Sequence, residues 1–251
     1  MNWPRALWRA LRAIAHVLRG LWIIRTEFGR LTPAQTQLLV RAWTRRMLLI
    51  LGVDLVVHGT PPEHGPVLQV ANHISWLDIL VMNAARPSRF VSKSDAKHWP
   101  LLGALITGAG TLYIERGSRR DAMRMVHHMA ERLELGDVLS VFPEGTTSDG
   151  RALLPFHANL LQAAIAARAP VLPVALRVVH ERSGEPHEAP VFVGDTTLVG
   201  SIWATLSASG VRAVVTYGQP QLAQGRDRRA WAHDLRAEVG RLLAQGPNNR
   251  S

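Results

Sequence analysis

The chain has 251 residues, of which 47% are hydrophobic and 19% charged, and its formal net charge is +10. This composition excludes a disordered or collagen-like protein, and the length suits one α/β domain with a sizeable core. The absence of cysteine excludes disulfides, zinc–thiolate and iron–sulfur sites and a cysteine nucleophile. No stretch of 18 or more residues is apolar without a polar interruption, so the sequence predicts no transmembrane helix.

The positive charge is concentrated near the N-terminus. Residues 1–46 contain nine arginines and a single acid, Glu27, so this segment has a charge of +8 and the remainder only +2. A basic arm on a nearly neutral body is typical of proteins that bind an anionic surface, either nucleic acid or a membrane leaflet.

Residues 3–22 predict a cationic amphipathic helix, because at ~100° per residue the apolar and basic side chains separate. The apolar side comprises Trp3, Leu7, Leu11, Ile14, Leu18, Leu21 and Trp22, and the opposite side Arg5, Arg9, Arg12, His16 and Arg19. This pattern is typical of a helix in a membrane interface, although the apolar side would also suit packing on the protein body. Nucleic-acid binding is disfavoured because no recognition motif accompanies the arm.

A second helix is predicted over Leu38–Leu51, and the two helices would form a hairpin over residues 1–50. Beyond Gly52, short β-rich runs alternate with helical patterns. Strands are predicted at Val53–Val57, Val67–Val70, Leu112–Ile114, Val138–Phe142, Val171–Val179 and Arg212–Tyr217. Helices are predicted from a capping box at Ser118–Asp121 to Gly136, over Leu160–Arg168 and over 227–244, with 182–190 as an exposed loop. The alternation predicts an α/β fold: a mixed, mostly parallel central sheet flanked by helices, with the N-terminal amphipathic hairpin.

The segment Val70–Asp78 holds a candidate acid–base pair, because a strand runs into Asn72 and His73 and Asp78 follows five residues after the histidine. On one ideal helix the two side chains would point about 140° apart. With His73 in a loop and Asp78 in the first turn of a helix they can meet. A carboxylate on one imidazole nitrogen leaves the other free as a base, although a surface histidine beside a capping aspartate is the alternative.

Two further strand ends carry polar residues. Pro-Glu-Gly-Thr follows the strand that ends at Phe142, and Glu144 there can accept hydrogen bonds from substrate hydroxyls, while Gly145 allows a close backbone approach. Arg116 follows the strand at Leu112–Ile114, and an arginine in that place can bind a phosphate with two hydrogen bonds. A solvated turn and an arginine paired with a neighbouring acid are the alternatives. No Gly-x-Ser-x-Gly elbow and no His-Glu-x-x-His motif occurs.

Taken in order, four segments resemble the blocks of the glycerolipid acyltransferase family, whose signature is His-x4-Asp. Asn72–Asp78 is similar to the first block, Tyr113–Arg116 to the second, Phe142–Thr146 to the third and Val171–Val174 to the fourth. The resemblance covers roughly residues 50–220, and it is greatest to the bacterial 1-acyl-glycerol-3-phosphate acyltransferases. It implies an acyltransferase domain over 51–251.

The resemblance implies transfer of an acyl group from acyl-CoA or acyl-carrier protein to the hydroxyl of lysophosphatidic acid, with no cofactor. His73 would be the general base and Asp78 its orienting partner. The implied substrate-binding residues are Asn72, Arg116, Glu144, Gly145, Thr146 and Pro173. The membrane reading of the N-terminal arm gains support, because the acceptor resides in a bilayer. An enzyme on the cytoplasmic face of the bacterial inner membrane, bound to anionic lipid and not to nucleic acid, is therefore expected.

The chain departs from the family pattern at two places. Many members have arginine directly after Glu-Gly-Thr, where this chain has Thr147, and many then have Phe-Lys-x-Gly, where it has Phe156-His157-Ala158-Asn159. Two basic residues expected near an anionic headgroup are therefore missing. Either Arg116, Arg151 and His157 suffice for a phosphate, or the acceptor is another lysolipid such as lyso-ornithine lipid.

Overall fold

The computed structural model describes residues 3–99, 101–114 and 119–245. Seven strands form one sheet in the order β1-β7-β6-β2-β5-β3-β4. Their bounds are β1 (Val53–His58), β2 (Val67–Ala71), β3 (Arg89–Lys93), β4 (Leu112–Ile114), β5 (Val138–Val141), β6 (Val171–His180) and β7 (Val211–Tyr217). Every neighbouring pair is parallel except β6 and β7. The predicted mixed, mostly parallel sheet is confirmed, and β3, which contains two basic residues and a serine, is an addition that the apolar pattern does not reveal.

Helices cover both faces of the sheet. Their bounds are α1 (Trp3–Thr26), α2 (Pro33–Leu51), α3 (Leu77–Ala85), α4 (Leu102–Gly108), α5 (Arg119–Glu134), α6 (Leu161–Ala166), α7 (Leu198–Ser207) and α8 (Arg228–Ala244). Helix α2 begins with a capping box at Thr32 and ends at Gly52, whose φ of 75° is in the left-handed region that favours glycine. Helix α6 is shorter than predicted, α4 and α7 are additional, and Ser118 of the predicted capping box lies outside the described residues.

The sheet separates two apolar cores. The first lies under α1, α2, α3 and α7 and includes Met82, Val174 and Val215. The second lies under α5, α6 and α8, where Trp231 and Leu235 are fully buried, as the helical spacing over 227–244 predicts. The last turn of α2 enters the first core, and the division of the chain at residue 50 stays a prediction.

The hairpin of α1 and α2 is confirmed, but most of the apolar side of α1 faces away from the protein body, and only its first residue, Trp3, meets a ring of the body, that of Trp203. Leu21 is half-buried, whereas the other six predicted members and the neighbouring Trp8 are 52–64% exposed: Trp3, Leu7, Trp8, Leu11, Ile14, Leu18 and Trp22. The side of α1 that faces the body is formed largely by small residues, among them Ala6 and Gly20. The structure therefore leaves most of the apolar side exposed, and the alternative that the whole side packs on the body is not what it shows. Among the described residues, no helix combines the length and apolarity that crossing a bilayer requires.

His16 is not on an exposed basic side of α1, where the helical wheel places it, but is only 8% exposed. Its imidazole stacks on the Trp43 ring of α2, with centroids 4.8 Å apart, and its Nε2 lies 2.9 Å from the Trp43 carbonyl oxygen. The Trp43 indole N–H in turn donates to the His16 carbonyl at 3.1 Å. The two residues thus join the helices of the hairpin through reciprocal contacts.

The loop over 182–190 is mostly exposed, as predicted, but His187 and Pro190 are buried. His187 is buried, and its backbone N–H donates to the Val178 carbonyl of β6 at 2.9 Å. Its Nδ1 accepts a hydrogen bond from the Ala189 N–H, which secures the loop against the sheet.

Candidate active site

His73 and Asp78 meet at the carboxyl edge of the sheet. Strand β2 ends at Ala71, and a short loop then leads into α3, so His73 lies in the loop and Asp78 in the first turn of the helix. The His73 Nδ1 lies 2.8 Å from Asp78 Oδ2. This is the arrangement that the five-residue spacing predicts for a loop histidine.

The Asp78 side chain is held in place by backbone N–H groups of the preceding loop. The carboxylate is buried, and its Oδ2 also accepts hydrogen bonds from the backbone N–H groups of Ile74 at 2.6 Å and Ser75 at 2.9 Å. A carboxylate at a helix N-terminus is further stabilised by the helix dipole. Because Oδ2 acts as an acceptor throughout, the His73 Nδ1 carries the proton and Nε2 is left to act as a base.

His73 has two further contacts, one to its ring and one to its backbone. The His73 ring stacks on the ring of Phe142, the first residue after β5, with centroids 4.0 Å apart and planes 7° from parallel. The His73 carbonyl accepts a hydrogen bond of 2.8 Å from the Ser148 N–H. With its side chain still 19% exposed, the ring is both restrained and accessible. No polar group in 3–99, 101–114 or 119–245 forms a hydrogen bond with its Nε2.

Glu144 lies in the site but is engaged with the backbone. One carboxylate oxygen accepts from the His73 N–H at 2.8 Å and the other from the Leu154 N–H at 2.9 Å. Glu144 is 3% exposed, and burial raises its pKa while the two backbone hydrogen bonds and the nearby His73 oppose that shift. The geometry therefore assigns the carboxylate a role in positioning the loop that carries His73, and its contact with substrate hydroxyls stays a prediction.

Asn72 and Pro173 lie beneath the site in the sheet. The Asn72 side chain donates to the Leu176 carbonyl at 3.0 Å and accepts from the Leu176 N–H at 2.8 Å, which joins the end of β2 to β6. Pro173 pairs with Val70 across the same two strands and is buried. Both residues help to join β2 to β6 at the base of the loop that carries His73, and their contact with substrate stays a prediction.

Gly145 and Thr146 form the exposed part of the turn after β5. Gly145 has a φ of 70°, and a Cβ there would lie 3.1 Å from the His157 ring. The backbone conformation therefore favours glycine, and a larger residue would also have to displace the His157 ring slightly. Thr147, at the position where many family members have arginine, directs its hydroxyl to the Phe192 carbonyl and brings no charge to the site.

Arg116 lies outside the described residues, so its predicted contact with a headgroup stays a prediction. Sequence reasoning assigns no role to Phe142 as the stacking partner of His73, nor to Ser148 as a donor to its carbonyl. Both lie within or next to the Phe142–Thr146 block, so adjacency to that block was the available signal. In the part of the chain that the structure describes, no three histidines or carboxylates cluster as a metal site.

Comparison with known proteins places the chain among acyltransferases. A family model described as Acyltransferase matches residues 54–177. The chain is 36% identical over 242 residues to a lyso-ornithine lipid O-acyltransferase of Pseudomonas aeruginosa, covering 94% of this chain and 92% of the relative. It is 38% identical over 202 residues to a 1-acyl-sn-glycerol-3-phosphate acyltransferase of Neisseria meningitidis, covering 80% and 78%.

The fold also matches a solved structure, that of the 1-acyl-sn-glycerophosphate acyltransferase PlsC from Thermotoga maritima. The TM-score is 0.61 with 20% sequence identity, and the match covers 94% of this chain and 98% of the other. Together with the relatives that align along most of their length, these matches confirm the resemblance drawn from the four sequence blocks. The chain belongs to the acyltransferase family and is an acyltransferase.

Proposed function

We propose that the chain transfers an acyl group from a thioester donor to the free hydroxyl of a lysolipid. The observation that carries this proposal is the 2.8 Å contact between His73 Nδ1 and Asp78, which leaves Nε2 free beside solvent. Nε2 takes the hydroxyl proton as the lipid oxygen attacks the thioester carbonyl. The C–O bond forms, the C–S bond then breaks, and the proton passes from Nε2 to the departing thiolate. General-base assistance of this kind contributes typically 10²–10⁴ in rate.

Asp78 stabilises the imidazolium that forms as Nε2 takes up the proton, because its carboxylate lies against Nδ1. Glu144 and Asn72 hold the backbone that leads into His73, so the base has little freedom to leave its productive position. The proposed reaction uses no covalent acyl-enzyme and no cofactor.

Two acceptors are candidates. Lysophosphatidic acid is the acceptor that the sequence predicts, and the Neisseria relative supports it. Lyso-ornithine lipid is supported by the Pseudomonas relative and by Thr147, whose hydroxyl is bound to a backbone carbonyl where many family members have a cation.

The exposed apolar side of α1 supports binding to a membrane surface. Tryptophan and leucine side chains suit the headgroup layer, and each arginine near an anionic leaflet contributes roughly 1 kcal/mol. Because acyl-CoA and acyl-carrier protein are cytoplasmic, we place the protein on the cytoplasmic face of the bacterial inner membrane. Anionic lipid is then its partner, and nucleic acid is not.

An apolar cavity of about 130 Å³ lies between α1, α2, α3 and α4 and supports binding of part of an acyl chain. Its walls include Trp43, Leu80 and Ile106. Helix α3 is the same helix that carries Asp78 in its first turn, which links the apolar wall to the catalytic pair.

An acceptor panel tests the proposal. Purified protein in mixed micelles is given labelled acyl-CoA or, separately, acyl-carrier protein. The acceptors are lysophosphatidic acid, lyso-ornithine lipid, lysophosphatidylethanolamine and lysophosphatidylglycerol. We expect diacyl product from at least one acceptor with release of one free thiol per product. Thiol release without lipid product, or no turnover on any lysolipid, would contradict the proposed function.

A further inference from the structure

A cleft of about 870 Å³ adjoins the catalytic loop on its β6 side. One wall contains Ile74, the residue after the catalytic histidine, and others come from the turn at 149–151, from Leu176–Val179 and from α7. Clefts of 300–1,000 Å³ are the size that small ligands and headgroups occupy. The cleft is therefore large enough to hold a polar headgroup beside the loop that carries His73.

Arg177 is an unpaired cation on this cleft. Strand β6 continues beyond the last residue of β2, because Ala71 pairs with Val174. The side chain of the next residue, Asn72, forms two hydrogen bonds with the backbone of Leu176. Arg177 follows Leu176 directly, is half-buried and lines the cleft. Its side chain has no hydrogen bond or ion pair with any residue in the described ranges. A guanidinium with its donors unused is well suited to an anion, because it presents a planar fork of N–H groups.

Glu185 is an unpaired anion on the same cleft. Its backbone carbonyl accepts from the His180 N–H at 2.8 Å, which holds the residue beside β6. Its carboxylate has no partner among the residues that the structure describes. The charge of the other arginine of the cleft, Arg151, is already balanced by carboxylates. Its Nη2 lies 3.4 Å from Glu188 Oε1, and its Nε lies 4.0 Å from Asp149 Oδ2.

Apart from Arg151 and the two carboxylates around it, the cleft therefore offers one cation, Arg177, and one anion, Glu185, that are not paired with each other. A phosphate monoester would use only the cation and would be repelled by Glu185. A headgroup with an anionic group and an ammonium group would use both. Charge complementarity of this kind selects between ligands more strongly than it raises affinity.

The position of the cleft favours a lipid as the ligand. Helix α7, which forms one wall, is held to α1 by Arg9, whose guanidinium donates to the carbonyls of Leu206 at 3.0 Å and Ala208 at 2.7 Å. The rings of Trp3 and Trp203 also meet edge to face, with centroids 5.5 Å apart. A wall of the cleft is thus attached to the helix proposed to lie on the membrane.

We infer that Arg177 and Glu185 are specificity-determining residues, which bind the anionic group and the ammonium group of a zwitterionic lysolipid headgroup. The inference rests on the proposed acyl transfer and decides between its two acceptors. Lyso-ornithine lipid carries a carboxylate and an ammonium, whereas lysophosphatidic acid carries only a phosphate.

The test uses Arg177→Gln and Glu185→Gln, with Arg182→Gln and Glu134→Gln as matched controls at exposed positions that do not line the cleft. KM is measured in mixed micelles for lyso-ornithine lipid, lysophosphatidylethanolamine and lysophosphatidic acid. Binding of each lysolipid is measured separately, by tryptophan fluorescence without an acyl donor. We expect Arg177→Gln to raise KM for lyso-ornithine lipid at least about tenfold, since a charged hydrogen bond is lost. Glu185→Gln should raise KM for the two ammonium lipids several-fold and lower it for lysophosphatidic acid.

Each outcome bears on one proposal. If Arg177→Gln and Glu185→Gln match their controls while the wild type acylates lysolipids, the cleft inference is overturned and the proposed function stands. An effect of Arg177→Gln without any effect of Glu185→Gln on ammonium lipids would overturn zwitterion recognition. If no acceptor is acylated but both variants weaken lysolipid binding, the proposed function fails and the recognition site stands.

Discussion

In the loop between β2 and α3, polar groups are buried and hydrogen-bonded, whereas in the hairpin of α1 and α2 large apolar side chains face solvent. The Asp78 carboxylate accepts three hydrogen bonds within the loop. Leu11 and Leu18 of α1, in contrast, are more than half exposed. The first arrangement stabilises one geometry of a base. The second leaves a large apolar area exposed to solvent. In the proposed function, the first region would serve the chemistry and the second would place the protein on the membrane.

The largest effect is expected from His73→Ala, which removes the base and leaves the loop backbone intact. We expect kcat to fall by at least about 10²–10⁴, because proton removal from the acceptor hydroxyl loses its assistance. Acyl transfer and far-UV circular dichroism are measured together. His128→Ala, at an exposed position of α5, is the matched control. A folded His73→Ala enzyme with normal kcat would end the general-base mechanism.

The double substitution Leu11→Glu and Leu18→Glu tests the hairpin. Both positions are exposed in the protein, so the free energy of unfolding should change little. Membrane binding, in contrast, should lose the contribution of two leucine side chains that would insert into the lipid. We expect binding to anionic vesicles to weaken at least about tenfold in a flotation assay. Leu135→Glu, equally exposed after α5, should bind as the wild type does. Unchanged flotation of the double variant would place the membrane contact elsewhere.

Glu144→Gln tests how firmly the catalytic loop is held. Either the His73 or the Leu154 N–H would then face an NH₂ group in place of a carboxylate oxygen. We expect the free energy of unfolding to fall by about 1–3 kcal/mol in urea at neutral pH. Glu134→Gln, at an exposed position without a partner among the described residues, is the control.

The difference in the free energy of unfolding between the wild type and Glu144→Gln should depend on pH. Burial raises the pKa of Glu144, so the folded state binds its proton more tightly than the unfolded state does. Its contribution to stability is then greatest below the unfolded pKa of 4.5 and declines as pH rises through the folded pKa. The stability difference between wild type and Glu144→Gln should therefore shrink from about pH 4 towards neutrality. A difference that grows with pH would contradict this sign.

The smallest effect is expected at His16 in the hairpin. Burial lowers its pKa, and Arg19 and Arg46 lower it further against the opposing hydrogen bond with Trp43. The folded state therefore favours the neutral ring, and stability is lost as pH falls through the unfolded value of 6.5. Between about pH 7.5 and 5.5, the wild-type melting temperature should fall more than that of His16→Gln. Equal slopes in the two proteins would show that His16 stays neutral or is not linked to unfolding.

Much of the site was predictable because its residues are local in sequence. His73 and Asp78 are five residues apart, so a strand, a loop and one helical turn suffice to bring them together. The role of Glu144 was not predictable, since its two partners lie 71 and 10 residues away and only the folded chain shows that both are backbone amides. The helical wheel places His16 on the exposed side because it sorts side chains by polarity alone. In the folded chain the Trp43 carbonyl gives the imidazole a polar partner within an otherwise apolar contact.

The sequence by itself determined the α/β class, the order of the four blocks, the hairpin and the contact between His73 and Asp78. Each of these depends on periodicity or on short spacing, which the chain carries locally. The tertiary structure decided which side of α1 faces outward, because that depends on the small residues that pack against α2 and α7. It also decided that Arg177 and Glu185 share a cleft with the residue beside His73, since these positions are joined only by the pairing of β6 with β2.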